Sequence, residues 1–217
     1  MCRLLAYASN NPQEITPYLF HLSRLASSNP HGWGIAYHRT KGDLRLIRRL
    51  ESAFTDPLLR EVNGKSDRLI GHVRFATNGQ TINASSVHPF LFKGIVLAHN
   101  GRFDGSIEDE AARRKVSDSL VFLEVLAERW KDRTAEGLRD ALGSIMANKS
   151  LVGDYSGANL LIMSGKSLYA FRCYRTAGSY YTLYLHAEPG LTVVSSEKLD
   201  GAGWRELENM ELVELNP

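Results

Sequence analysis

Ala158-Asn-Leu-Leu-Ile-Met-Ser164, then Gly165-Lys166, then Ser167-Leu-Tyr-Ala-Phe-Arg-Cys173 reads as two strands joined by a two-residue turn. A connection that short closes a hairpin, whereas two parallel strands need a crossover of about a dozen residues or more. The sheet containing this pair is therefore expected to be antiparallel. Working outward, further strand-like runs are Leu4–Ala8, Trp33–His38, Leu44–Arg49, Leu69–Val73, Ile95–Ala98, Tyr180–His186, Leu191–Ser195 and Glu211–Leu215, several of them bounded by Gly or Asn-Pro signals. That is too many strands for a helix bundle. Helical spacing is clearest in Thr16–Ala26, with Leu19, Leu22 and Leu25 or Ala26 on one face, and in Asp118–Trp130, with Leu120, Leu123, Ala127 and Trp130 on one face and Ser117 as N-cap. A third helix spans Ala135–Ala147. The two longest helical stretches sit mid-chain with strands before and after them, which describes a layered fold of helices and largely antiparallel sheets. Without a Pro/Gly/Ser linker, a low-complexity tract or a repeat, residues 1–217 read as a single domain.

Composition narrows the function. The chain has 217 residues, 43% of them hydrophobic and 23% charged, which is ordinary for a globular protein with a sizeable core. Net charge is only +2, and the denser basic clusters, Arg45/Arg48/Arg49 and Arg113/Arg114/Lys115, are short and lie among acids. They read as solvated faces and not as a nucleic-acid surface. Two cysteines, one at position 2, cannot build a disulfide framework and suggest a reducing compartment. The N-terminal apolar stretch is too short for a signal peptide, and no apolar run reaches the roughly 18 residues of a membrane span. The expectation is a cytoplasmic protein with no membrane or nucleic-acid partner, no metal site and no cofactor.

Four short clusters carry the chemistry. Cys2 follows Met1, and a small second residue permits removal of the methionine, which would leave a thiol and a free α-amine on one residue. With unperturbed pKa values of roughly 7.7–8 for the amine and about 8.5 for the thiol, the amine can take the thiol's proton, so one residue supplies nucleophile and base. A cysteine at position 2 can equally be a small core residue. The second cluster is Gly71-His72-Val73-Arg74-Phe75-Ala76-Thr77-Asn78-Gly79, where a strand ends on Arg74. A guanidinium grips a carboxylate bidentately, and the Thr77 hydroxyl can add a donor. Alone, Arg74 also reads as a surface arginine at a strand end. In Ala98-His99-Asn100-Gly101 the Asn100 amide and the Gly101 backbone N–H can present two donors to one point, as an oxyanion hole requires, although Asn-Gly is also the commonest hairpin turn. In Ser117-Asp118-Ser119, Asp118 either favours the helix dipole or holds an ammonium group. A cation for an α-carboxylate, an acid for an α-ammonium, a nucleophile and an oxyanion hole together describe a site for an amino acid with a cleavable side-chain amide.

With Met-Cys-Arg, Gly-His-Val-Arg-Phe-Ala-Thr, His88-Pro89-Phe90, His99-Asn100-Gly101 and Ser117-Asp118-Ser119 in this order, the chain resembles the class II glutamine amidotransferases, members of the N-terminal-nucleophile hydrolases. His31-Gly32-Trp33-Gly34 and Ser195-Ser196-Glu197 extend the resemblance to stand-alone members and to the whole chain. The resemblance implies an α+β fold, a four-layer αββα sandwich of two stacked, mainly antiparallel sheets flanked by helices. It implies that Cys2 attacks the glutamine side-chain carbonyl, Asn100 and Gly101 stabilise the oxyanion, Arg74 and Thr77 hold the carboxylate, and Asp118 holds the ammonium. The expected chemistry is a γ-glutamyl thioester on Cys2, with release of ammonia or an amine and then of glutamate. Phe75 stands where the sugar-phosphate amidotransferases usually have Trp or Tyr, and Asn78 where they often have His, which implies different contacts around the glutamine loop.

His72, His88 and His99 read as structural, since the Cys2 amine removes the need for another base. Trp33 and Trp204 read as core aromatics, and Cys173 as a buried small hydrophobe. The chain leaves no room after Ser195-Ser196-Glu197 for an ammonia-using domain, so the expected reading is a glutamine amidotransferase-type hydrolase. Its substrate would be glutamine or a γ-glutamyl small molecule, with a separate ammonia-accepting synthase subunit as a possible partner. The alternative is a non-catalytic glutamine or γ-glutamyl binding module, or a regulatory subunit.

Overall fold

The computed structural model describes residues 2–39, 42–76 and 83–217. Twelve strands and six helices are assigned among them: β1 Arg3–Glu14, α1 Thr16–Leu25, β2 Trp33–His38, β3 Leu44–Arg49, α2 Pro57–Glu61, β4 Lys65–Val73, β5 Phe90–Phe92, β6 Ile95–Gly101, α3 Gly105–Arg114, α4 Asp118–Arg129, α5 Ala135–Ala147, α6 Lys149–Val152, β7 Ala158–Ser164, β8 Ser167–Arg172, β9 Tyr184–Glu188, β10 Leu191–Ser195, β11 Arg205–Glu206 and β12 Glu211–Glu214. Seven strands form one sheet in the order β11-β9-β10-β1-β4-β2-β3, and five form a second in the order β12-β8-β7-β6-β5. Every neighbouring pair is antiparallel.

Side-chain alternation along the strands divides the core into three layers. Leu5 and Tyr7 of β1 face α1 with Leu19 and Leu22, while Leu4, Ala6 and Ala8 face the other sheet. On β6, Ile95 and Leu97 pack against α4 and α5, whereas Val96 and Ala98 turn inward. The same split holds on β7, with Leu160 and Ile162 toward the helices and Leu161 and Met163 toward the opposing sheet. Ala6, Ala8, Ala36, Ala98 and Ala170 are interspersed with larger Leu, Ile, Val and Met side chains in the layer between the sheets. The result is helix, sheet, sheet, helix. No helix of the described residues is long and apolar enough to cross a membrane.

The expected hairpin is present, with Ser164 opposite Ser167 across Gly165-Lys166. Trp33 is fully buried and donates through Nε1 to Asp56 at 2.9 Å; Asp56 also accepts from Arg49 at 3.1 Å and caps α2 through Leu58. Trp204 is half-buried against the α1 side of the first sheet, and Cys173 is buried beside the Tyr155 hydroxyl at 3.0 Å. The strand expected at Tyr180–His186 begins only at Tyr184. The reason is local: Arg172 Nε and Asn159 Nδ2 donate to the Tyr181 carbonyl, and Asn159 Nδ2 also reaches that of Thr182, so side chains occupy acceptors a ladder would use. The sequence pattern does not expose α3, because only Ile107 and Ala111 of its ten residues are buried, too thin a stripe for a helical period to stand out. The short β5 and β11 and the one-turn α2 and α6 carry no legible period either.

Candidate active site

The pleat that builds the layer between the sheets also carries its polar end. On β1 and β4, Arg3 pairs with Val73, Leu4 with His72 and Ala6 with Ile70. Cys2 continues the inward-facing series Leu4, Ala6, Ala8, and Arg74 continues Ile70, His72. From the opposing sheet, Asn100 continues Val96, Ala98 on β6. Three residues distant in sequence thus reach one end of the inter-sheet layer by a single rule.

Around Cys2 the contacts are to backbone. The Phe75 N–H lies 3.4 Å from Sγ, and the thiol faces the Phe75 carbonyl at 3.8 Å. Burial pushes the Cys2 thiol above its ordinary range; the Phe75 N–H and the Arg74 guanidinium act the other way, and the Asp118 carboxylate adds to the upward shift. Cys2 therefore lies within the fields of two cations, the N-terminal ammonium and Arg74, and one anion, Asp118. Two polar contacts fix the end of the first strand: Leu4 N–H donates to Ser196 Oγ at 2.9 Å, and Arg3 pairs with Glu197 at 2.5 Å.

Arg74 is only 5% exposed, so it is not a surface arginine. Its backbone extends the sheet, with Arg74 N–H donating to the Gly32 carbonyl at 2.8 Å and His31 N–H to the Arg74 carbonyl at 3.1 Å. Burial holds the Arg74 guanidinium below its usual range while Cys2 acts to raise it. Thr77 and Asn78 lie outside the described residues.

Asn100-Gly101 is not a hairpin turn. Both residues are in β6, Asn100 opposite Asn159 and Gly101 opposite Ala158. Asn100 is buried, and among the described residues its Nδ2 has no hydrogen-bond partner. A buried amide donor without a partner is costly, and such groups concentrate where a ligand completes the bonding. Gly101 has φ +153°, and a Cβ there would sit 1.7 Å from the Gly157 carbonyl oxygen, so only glycine fits.

Asp118 opens α4 behind its cap, Ser117. Its Oδ1 accepts from Ser119 N–H at 2.7 Å and its Oδ2 from Phe103 N–H at 2.9 Å, which ties the chain just after β6 to the start of the helix. Oδ1 also accepts from the Ser117 and Ser119 hydroxyls at 3.1 and 3.2 Å, which leaves Oδ2 as the oxygen with a lone pair for a further donor.

Three buried histidines stand behind this end. The His72 and His88 rings are 4.4 Å apart and those of His88 and His99 6.4 Å. His88 reaches this place by crossing Gly34, where a Cβ would lie 2.1 Å from the His88 carbonyl. His99 faces Ser119 Oγ through Nδ1 at 2.8 Å and stacks on Phe103. Burial pushes all three down, His72 to about 3, and the neighbouring imidazoles and Arg74 push His72 and His88 further. Among the described residues no three His, Cys, Asp or Glu side chains are set to hold a metal ion. Two features escape sequence reasoning: the inward parity shared by Cys2, Arg74 and Asn100, which the strand alternation could have revealed, and the Phe75 peptide beside the sulfur, which no side-chain pattern announces.

An αββα sandwich with a thiol at the end of its inter-sheet layer is the architecture of the N-terminal-nucleophile hydrolases. The profile of the class-II glutamine amidotransferases matches residues 1–189. The chain belongs to this family. A putative glutamine amidotransferase of Haemophilus influenzae is 32% identical over 111 residues, 46% of this chain and 37% of that protein. The γ-glutamyl-hercynylcysteine sulfoxide hydrolase of Mycobacterium tuberculosis is 28% identical over 193 residues, 86% of this chain and 76% of that protein. Among solved structures, the glutamine phosphoribosylpyrophosphate amidotransferase of B. subtilis superposes with a TM-score of 0.69 at 20% identity, covering 99% of this chain and 47% of that one. A glutamine aminotransferase class-II domain protein from Silicibacter pomeroyi gives 0.66 at 19%, covering 100% of this chain and 95% of that one.

Proposed function

We propose that residues 1–217 act as one amidotransferase domain that hydrolyses the side-chain amide of glutamine or a γ-glutamyl amide. Removal of Met1 frees the Cys2 amine. The amine takes the thiol proton, Sγ attacks the γ-carbonyl carbon, and the carbonyl oxygen becomes an oxyanion held by Asn100 Nδ2 and the Gly101 N–H. Collapse breaks the C–N bond, the departing nitrogen takes the proton back from the amine, and a γ-glutamyl thioester remains. Water activated by the same amine cleaves the thioester to glutamate and restores the thiol. Arg74 and Thr77 hold the substrate carboxylate, and Asp118 its ammonium.

This reading is supported by Arg74 and Asp118 in electrostatic reach of the Cys2 sulfur and by the buried, unpartnered Asn100 amide on the inward-facing parity of β6. The M. tuberculosis relative bears the name of a γ-glutamyl hydrolase and aligns with most of this chain, which favours a γ-glutamyl amide over free glutamine as substrate. Two free cysteines and no disulfide among the described residues fit a reducing compartment, which supports a cytoplasmic protein. Delivery of ammonia to a separate synthase subunit is the alternative fate of the nitrogen.

The test is incubation with a diazo-ketone glutamine analogue followed by intact mass and peptide mapping. A single adduct on a trimmed Cys2, blocked by excess glutamine, is the expected result. A trimmed chain that takes no adduct, together with full biological activity of Cys2→Ala, would instead support a binding module or regulatory subunit.

A further inference from the structure

We propose that His31 is a positioning residue for Cys2, acting through the backbone of residues 74–76 to hold the Phe75 N–H against the sulfur. The inference rests on the reading of Cys2 as nucleophile. The Ala76 N–H donates to His31 Nδ1 at 2.9 Å, and the His31 N–H donates to the Arg74 carbonyl at 3.1 Å, so His31 clamps this segment from both sides of Phe75. The His31 ring packs beside that of Phe75 at 5.4 Å. Between the two clamp points, the Phe75 N–H lies 3.4 Å from Sγ. Ala76 and Phe75 are beyond the end of β4, so no strand partner fixes this peptide plane, and the imidazole takes over that task.

The consequence is chemical. A thiol at Cys2 can face both the Phe75 N–H and the Phe75 carbonyl, but a thiolate can only accept. A rigid Phe75 N–H therefore favours the nucleophilic form, and a swinging one does not. The other charged groups acting on the sulfur are the N-terminal ammonium and Arg74 from the end of β4, which assist the thiolate, and Asp118 from the start of α4, which opposes it. As the acceptor from Ala76, Nδ1 must be unprotonated, which assigns the ring proton to Nε2. A carboxamide oxygen can replace Nδ1 in this role, whereas a phenyl ring keeps the packing and loses the acceptor.

The test measures the rate of Cys2 carboxamidomethylation by iodoacetamide against pH, with peptide mapping to count Cys173 separately. Iodoacetamide needs no glutamine pocket, so the result is independent of whether the protein turns over a γ-glutamyl amide. For His31→Phe the expected outcome is a rate about tenfold lower at neutral pH with the profile moved to higher pH, as expected when a hydrogen bond to a charged group is weakened. His31→Asn is expected to restore most of the rate. Equal rates in both variants, whether native or slowed, would overturn the proposal, because the acceptor would then not matter. Should His31→Phe fail to fold, the unmodified protein still decides. NMR on 15N-labelled protein is expected to show a nitrogen–nitrogen coupling across the hydrogen bond from Ala76 to His31 Nδ1, and its absence in well-resolved spectra would also overturn the proposal.

Discussion

The layer between the two sheets has an apolar middle and a polar end, and both are built by the same strands. In the middle, Leu4, Ala6, Ala36, Ile70, Val96, Ala98 and Leu161 belong to one cluster of buried apolar side chains. Two or four residues further along the same faces stand Cys2, His72, Arg74 and Asn100, buried or half-buried, with the Asn100 amide lacking a partner among the described residues. The pleat positions the two sets equally well; they differ in whether what is buried is satisfied. The middle is a place where the fold gains stability, and the end is a place where it tolerates a cost that a bound ligand would relieve.

If this division holds, substitutions at the end should change activity far more than stability. The largest effect is expected for Cys2→Ala: a fall of at least about 10⁴-fold in γ-glutamyl amide hydrolysis, as when the nucleophile of a concerted catalytic group is removed, with the urea midpoint nearly unmoved. Asn100→Ala follows. Loss of one oxyanion donor costs about 10²–10³ in kcat, while removal of an unpartnered buried donor offsets the small cavity left, so stability should change by less than about 1 kcal/mol. Steady-state kinetics beside denaturant melts would read both. A loss of stability that tracks the loss of activity would erase the distinction.

Most of the middle was legible in the sequence, and the end only in pieces. The runs Trp33–His38, Leu44–Arg49, Ala158–Ser164 and Leu191–Ser195 coincide with strands, because alternation over apolar residues leaves the chain one way to bury them. Helix Ala135–Ala147 is legible for the same reason, whereas α3, with two buried residues, is not. At the site, short motifs named Cys2, Arg74, Asn100, Gly101 and Asp118, but their meeting depends on register between strands that are far apart in sequence. Asn100-Gly101 shows the gap most plainly. As a dipeptide it reads as a turn, and only the contact of Gly101 with Gly157 across β6 and β7 shows why glycine follows Asn there. His31 was quoted only as part of a motif, since its partner is a backbone N–H that no residue type marks.

The middle of the layer should give the opposite response. Leu161→Ala removes a fully buried side chain and is expected to cost about 2–5 kcal/mol of stability, with kcat at saturating substrate within about twofold below the melting temperature. A comparable drop in kcat would mean that packing in the middle sets the geometry at the end, and that the two are one unit.

The smallest expected effect is a pH dependence located where the two regions meet. Burial pushes His72, His88 and His99 down, and neighbouring imidazoles push His72 and His88 further, with His72 near 3 against an ordinary value of 6.5. A base whose folded pKa is depressed binds fewer protons folded than unfolded as pH falls below the unfolded value, so its contribution is fully present above 6.5 and is lost as pH falls toward 3. Each such histidine adds a slope of up to about 1.4 kcal/mol per pH unit within that window. Urea melts of wild type between pH 7 and 5 should therefore show falling stability. His88→Met should flatten that fall by up to one histidine's share, because it replaces a ring whose two nitrogens lack hydrogen bonds among the described residues with an apolar chain of adaptable shape. An unchanged slope in His88→Met would mean that water or a ligand already satisfies the His88 ring and that the polar end reaches less deeply between the sheets.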